Sequence, residues 1–335
     1  MLRTFAFIAA VTLTVGAQTA AAQPIKLKAA LFSSDRSSNY HAAMKPFVEA
    51  VNAEAKGAVE IEIYSSGELG KDLTQQPRLV LDGIADLAFI IPGYLPELFT
   101  DNAVIELPGL FRDMREATFT YTHLIAAGAL AGYEDFFTVA AFATDPQTLH
   151  TRPPVGALAE LRGLRIRVNN AMAAAALARF GVTPFVMPIN QAAEAISAGK
   201  LDGTMAQIPA LFEFGIGRMV THHYMLRTSV APLALVMNRK KFDRLPPQIQ
   251  EIVRKYSGEW AARRYVESLE TASLRMTEQL RSDPDRRVVI PSLADQIKAD
   301  DVFTGLQREW VANSPRHAAL LRDVKTEIAK LRQSE

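Results

Sequence analysis

Cysteine is absent from all 335 residues. That one absence excludes structural disulfides, thiol catalysis and thiolate metal sites together. A dominant charge sign is missing as well: 37 Lys and Arg stand against 36 Asp and Glu, for a formal net charge of +1, with no polybasic run. Nucleic acid and anionic membrane partners need a clustered basic excess, so neither is expected. Common enzyme signatures are also lacking. There is no G-x-S-x-G elbow, no G-x-x-x-x-G-K-[ST] loop and no G-x-G-x-x-G after a strand; Gly215-Ile216-Gly217 is a lone fragment that reads as a turn. The six histidines form no H-x-x-H or H-E-x-x-H pair. His222 and His223 are adjacent, so on a strand they face opposite sides. His41, His123, His150 and His317 are isolated in sequence and read as surface or core residues. The paired acids Asp82 with Asp86, Glu134-Asp135 and Asp300-Asp301 lie in polar contexts and read as solvated charge. No enzyme, metal site or cofactor is expected.

What is present is a globular composition, 49% hydrophobic and 22% charged, over a length suited to two domains. The chain opens with Arg3, an apolar run from Phe5 to Val15, and the small residues Ala20-Ala21-Ala22 before Gln23. This has the three parts of an export signal and predicts cleavage after Ala22 and a periplasmic mature protein. The run is shorter than the roughly 18 apolar residues that a membrane span requires, and no later segment reaches that length.

The mature chain alternates strand and helix patterns. Ile25–Ala29 and Val59–Ile63 show period-two alternation, and Leu87–Ile91 is a short apolar strand ended by Pro92-Gly93. Between them Tyr40, Met44, Phe47, Val48 and Val51 recur at helical spacing, with Pro46 expected to kink the helix or restart it. This βαβαβ rhythm predicts a parallel-rich sheet flanked by helices. After Pro153-Pro154 the pattern restarts: strands at 165–168, 183–186 and 203–207 with helices between them make a second α/β unit. Pro232–Asn238 reads as a strand crossing back to the first unit. From Leu245-Pro246-Pro247 apolar residues keep helical steps to Leu280, predicting about thirty helical residues, near 50 Å at about 1.5 Å per residue. Such a helix could touch both units. Ser282-Asp283-Pro284 ends it, Val288–Ile290 adds a strand, and 293–331 is helical.

Residues 158–203 carry a resemblance. Leu161-Arg162-Gly163-Leu164-Arg165-Ile166-Arg167-Val168 is followed by Phe180-Gly181-Val182-Thr183-Pro184 and by Ala195-Ile196-Ser197-Ala198-Gly199-Lys200-Leu201-Asp202-Gly203. In that order the segment resembles the extracytoplasmic solute receptors of tripartite ATP-independent periplasmic (TRAP) transporters, dicarboxylate-receptor type. Tyr64–Gly70, Gly83-Ile84-Ala85-Asp86, Glu106–Phe111 and the stretch from Asn238 to Leu245-Pro246 match further motifs of the family, so the resemblance covers the mature chain. It implies a periplasmic-binding-protein-like α/β fold: two α/β domains joined by a hinge, a long helix spanning both, and a ligand cleft between them. The expected division is signal peptide 1–22, first domain 23–145 plus about 231–270, second domain 146–230 plus about 271–335. It also implies a receptor that hands a small organic anion to small and large membrane subunits. Receptors for ATP-driven importers, extracytoplasmic sensors and secreted enzymes on the same fold are the competing readings.

By family position Arg167 pairs with the ligand carboxylate. A planar, permanently charged fork of donors suits that task. Arg165 shares its strand face, so alternation alone does not choose between them; Arg162 and Arg165 are expected to be mainly solvated. Departures from the family pattern put Gln147 where some members carry a second arginine and Ile91 where sugar-acid binders carry an acid. The usual site asparagine falls at Ala206 or Gln207. Ile91, Tyr94, Ile189, Met205 and Phe212 are candidate walls, with Phe32 and Ser33 after the first strand completing the candidate site. Such a pocket leaves few partners for sugar hydroxyls, and unpaired buried hydroxyls are costly. The expected ligand is a monocarboxylate with an apolar or aromatic body.

Overall fold

The computed structural model describes residues 23–333; the expected signal peptide lies outside them. The chain lays down β1 (Ile25–Ala30), β2 (Val59–Tyr64), β3 (Leu87–Ile90) and β4 (Phe136–Ala143). It then forms β5 (Thr148–Thr151), β6 (Arg165–Val168), β7 (Thr183–Val186), β8 (Gly203–Ala206) and β9 (His222–Tyr224), returns as β10 (Pro232–Asn238), and adds β11 (Arg287–Val289). Two sheets result, in the orders β2-β1-β3-β10-β4 and β11-β9-β5-β8-β6-β7. As predicted, β10 crosses back to the first sheet, where it runs antiparallel to β3 and β4. β1 pairs in parallel with β2 and β3, and β6 pairs in parallel with β7 and β8. Strands buried on both faces explain the nearly continuous apolar runs in β3 and β10.

The bodies meet at two crossing segments. Residues 144–147 leave β4 for β5, and residues 228–231 lead back to β10. They bond to each other: Thr144 N–H to Ala231 O, Gln147 N–H to Ser229 O, and Thr228 N–H to Gln147 O, all within 3.0 Å. The Thr144 hydroxyl accepts the Ala231 N–H at 2.9 Å.

The predicted thirty-residue helix is two helices. Pro247–Lys255 ends before Gly258, and a second helix runs over Glu259–Ser282. Gly258 adopts φ 61°, ψ −126°, a region essentially closed to other residues, and its N–H bonds Val139 O of β4. The remaining 24 residues span about 36 Å at 1.5 Å each, enough to reach both bodies. This spanning helix stacks Tyr265 on Phe142 of β4 at 4.0 Å between centroids. Its Glu270 accepts a two-pronged pair from Arg115, and it packs farther along on the helix Ile208–Glu213 of the second body.

The C-terminal region also divides differently from the expectation. Helix Leu293–Ala312 packs on the second body, with Ala299, Phe303 and Leu306 in its core. Helix Pro315–Gln333 returns to the first body instead, placing Leu320, Leu321, Val324 and Ile328 in a core with Tyr121, Leu124 and Phe136. The break at Asn313-Ser314-Pro315, where proline cannot continue a helix, permits the reversal.

Candidate functional site

Parallel α/β units place ligands at the carboxyl ends of their strands. Here such ends face each other. Phe32 follows β1, Ile91 follows β3, Asn169 follows β6, and Ala206-Gln207 ends β8; all line one cavity between the bodies. The cavity is small, about 50 Å³, against roughly 30 Å³ for one water in the liquid.

Arg167 lies at its centre and is 1% exposed. On β6 it sits in register with Thr204 of β8 and Phe185 of β7, which places its head among their carboxyl ends. Nε donates to Met187 O at 2.8 Å, Nη1 to Met205 O at 3.2 Å and Nη2 to the Tyr94 hydroxyl at 2.8 Å. A guanidinium carries five N–H donors, so two remain without an acceptor. No carboxylate pairs with it among the described residues, and burial draws its pKa below the ordinary value, offset only in part by Tyr94. Burying a cation without a counter-ion costs several kcal/mol. The site therefore favours a ligand that brings a negative charge.

Tyr94 joins the two bodies. Its hydroxyl accepts from Arg167 and also from the Ile189 N–H at 3.0 Å, which leaves its own proton to donate. The turn presenting Tyr94 needs Gly93: a Cβ there would lie 2.0 Å from Glu106 Oε1. A second contact across the cavity runs from the Ser38 N–H to Glu213 Oε1, 2.8 Å. Several buried polar atoms in the cavity lack partners: both amide atoms of Asn169 and the Oε1 atoms of Gln147 and Gln207.

Of the residues named from sequence, Arg167, Gln147, Gln207, Ile91, Tyr94, Ile189 and Phe32 line this cavity. Ser33 does not; its hydroxyl bonds that of Ser37 at 2.8 Å inside the loop after β1. Phe212 does not either. It packs against the main core, while Phe214, just past the end of its helix, takes the cavity position. Met205 contributes its carbonyl and buries its side chain. Arg165 is half exposed and paired with Asp202, on the far end of the strand. The sequence reading missed Asn39, Asn169 and Glu213. For Asn169 a signal existed: it lies two residues beyond Arg167, just past the end of β6, where continued alternation points it the same way.

On the other side of the crossing segments is a larger groove of about 640 Å³. Thr144 and Gln147 face the small cavity, Asp145, Pro146 and Thr148 face the groove, and Gln207 borders both. Leu274 and Arg281 of the spanning helix line one wall of it, and Met225, Ile290 and Pro291 of the second body line the other.

Residues 31–309 match the family described as bacterial extracellular solute-binding protein, family 7. The 2,3-diketo-L-gulonate-binding periplasmic protein of Escherichia coli is 25% identical over 308 residues, 88% of this chain and 89% of that one. Among solved structures, a marine metagenome TRAP solute binding protein specific for aromatic acid ligands superposes with a TM-score of 0.83 at 23% identity, covering 91% of this chain and 99% of the other. A TRAP solute binding protein from Rhodoferax ferrireducens, solved with copurified benzoate, gives a TM-score of 0.83 at 20% identity over 92% and 99%. These relatives include both sugar-acid and aromatic-acid binders, so likeness alone does not select the ligand.

Proposed function

The chain belongs to family 7 of the bacterial extracellular solute-binding proteins, and on that premise we propose that it is a TRAP receptor capturing a monocarboxylate with an apolar or aromatic body. The observation that carries the reading is Arg167: a fully buried guanidinium with, among the described residues, two N–H groups to spare and no carboxylate partner. A ligand carboxylate would accept both, in the parallel geometry that makes such pairs strong. Phe32, Ile91, Ile189 and Phe214 would enclose the ligand's body, and the Tyr94 proton would complete the carboxylate's partners.

An organic acid is larger than the cavity, so the bodies must part to admit it and close to bury it. Closure joins Tyr94 to Arg167 and Ser38 to Glu213 across the cleft. A ligand that binds the closed form better drives the closing by that difference in affinity. The first body would comprise 23–145, about 231–270 and the last helix; the second, 146–230 and the segment through Leu293–Ala312. The export signal would be removed after Ala22, and the loaded receptor would release its acid to the membrane subunits without chemical change.

The test is a thermal-shift screen of aromatic, branched and sugar carboxylates against the protein and its Arg167→Ala variant. A ligand that binds only the native state raises the melting temperature. Apolar-bodied monocarboxylates should raise it, and the variant should lose the shift, with affinity down by more than about 30-fold as expected when one member of a buried charge pair is removed. Arg167→Lys should recover little, because a point charge does not replace the fork. Tight binding of sugar acids with no response to aromatic or branched acids would refute the proposed ligand class.

A further inference from the structure

Glu213 is a cavity-lining carboxyl that the anchoring of an anion leaves without a role. It ends the helix Ile208–Glu213 and borders the same space as Arg167. Oε1 is held by the Ser38 N–H. Burial raises its pKa, and the bonds from Ser38 only partly oppose that rise. No Lys, Arg or His pairs with it among the described residues. The amides nearby, Gln147, Asn169 and Gln207, can turn either an oxygen or an N–H toward a ligand. A carboxylate has no such choice, since ionised it only accepts.

Arg167 and Glu213 thus give one cavity two poles of opposite sign. A ligand carboxylate is drawn to the first and repelled by the second, which fixes the direction in which the molecule lies. The lone pairs of Glu213 that Ser38 does not engage then face whatever the other end of the ligand carries. A plain hydrocarbon end would leave them unpaired once the closed cleft shuts out water, at a cost. Sites built to bond a hydroxyl reject analogues that lack it for this reason.

We propose that Glu213 is the specificity-determining residue of the cavity and selects acids bearing a hydroxyl on the body, away from the carboxylate. This deepens the carboxylate reading and rests on it. The test uses calorimetric titration of matched probes, benzoate with 3-hydroxybenzoate and phenylacetate with 3-hydroxyphenylacetate, on the wild-type protein and on Glu213→Ala, Glu213→Gln and Arg167→Ala. The hydroxylated member of at least one pair should bind about ten- to a hundred-fold tighter, the range of one hydrogen bond to a charged group. Glu213→Ala should erase that preference, while the lost Ser38 contact weakens both members of a pair alike. Glu213→Gln, the milder change, should shrink it several-fold, because an amide oxygen is the weaker acceptor. Equal binding within both pairs, or a preference that survives both Glu213 substitutions, overturns the assignment. So does 3-(aminomethyl)benzoate binding more tightly than 3-hydroxybenzoate, which would make an ammonium the selected group. Failure of the underlying reading has a different signature: no probe binds, or Arg167→Ala binds as the wild type does.

Discussion

Two imidazoles meet in the middle of the second sheet. His150 and His223, 73 positions apart, lie in register on β5 and β9, with their Nδ1 atoms 2.9 Å apart. One must donate and the other accept, so at least the accepting ring is neutral, and burial disfavours the charged form of both. Burial lowers the pKa of His150 to about 3; burial, Arg286 and His222 lower that of His223 to about 4. Unfolded, each would take its proton near pH 6.5. Their contribution is therefore complete above pH 6.5 and is lost as pH falls toward 4 and 3. Glu106 works in the other direction. Fully buried, its carboxyl is pushed up to about 8 despite the Asn170 amide. The folded chain keeps a proton that the unfolded chain releases near 4.5, so stability is complete below pH 4.5 and declines until about pH 8. Melting temperatures from pH 4 to 9 should fall at both ends. Glu106→Gln should flatten the alkaline limb, and an unchanged alkaline limb would show that Glu106 is ionised in the fold. None of these three residues was legible as buried and perturbed from its sequence neighbours, because their environment comes from chain segments far away.

At the scale of elements, what could be read was what repeats. The period-two alternation of β2, the apolar runs of β3 and β10, and the strand-helix rhythm are local, and each appears where the sequence placed it. Arg167 was legible through its motif, and strand alternation then accounts for Asn169. Breaks were harder to see. Helical spacing continues straight through Gly258, yet the chain turns there because its N–H goes to β4. A Cβ at this glycine would meet nothing within 4 Å, so any penalty for Gly258→Ala is a backbone one, about 1–3 kcal/mol. That substitution should lower the melting temperature by a few degrees without changing ligand affinity; an unchanged melting point would mean the turn is not needed. Phe212 and Phe214 show the same limit. Both are aromatic and two residues apart, so on a helix they point about 200° from each other, and residue type alone does not say which of them faces the cavity.

At the scale of the whole molecule, the two sheets communicate through the paired crossing segments, the spanning helix and the reversal at Asn313–Pro315. Tyr94 and Glu213 bond across the front, so under the hinged reading a change of angle at the crossing would change affinity without touching the ligand. The larger groove on the far side of those segments has a mechanical consequence. In a seesaw, one end rises only if the other end drops; if the bodies tip about the crossing segments, the front gapes as the rear walls come together. Leu274, 74% exposed on the spanning helix and lining that rear space, stands where a doorstop would. Leu274→Trp should hold the rear ajar, slow ligand escape in stopped-flow measurements and tighten binding several-fold; faster escape would mean that the two sides do not tip together. The receptor's grip would then be adjustable from Leu274, a side chain outside the ligand cavity.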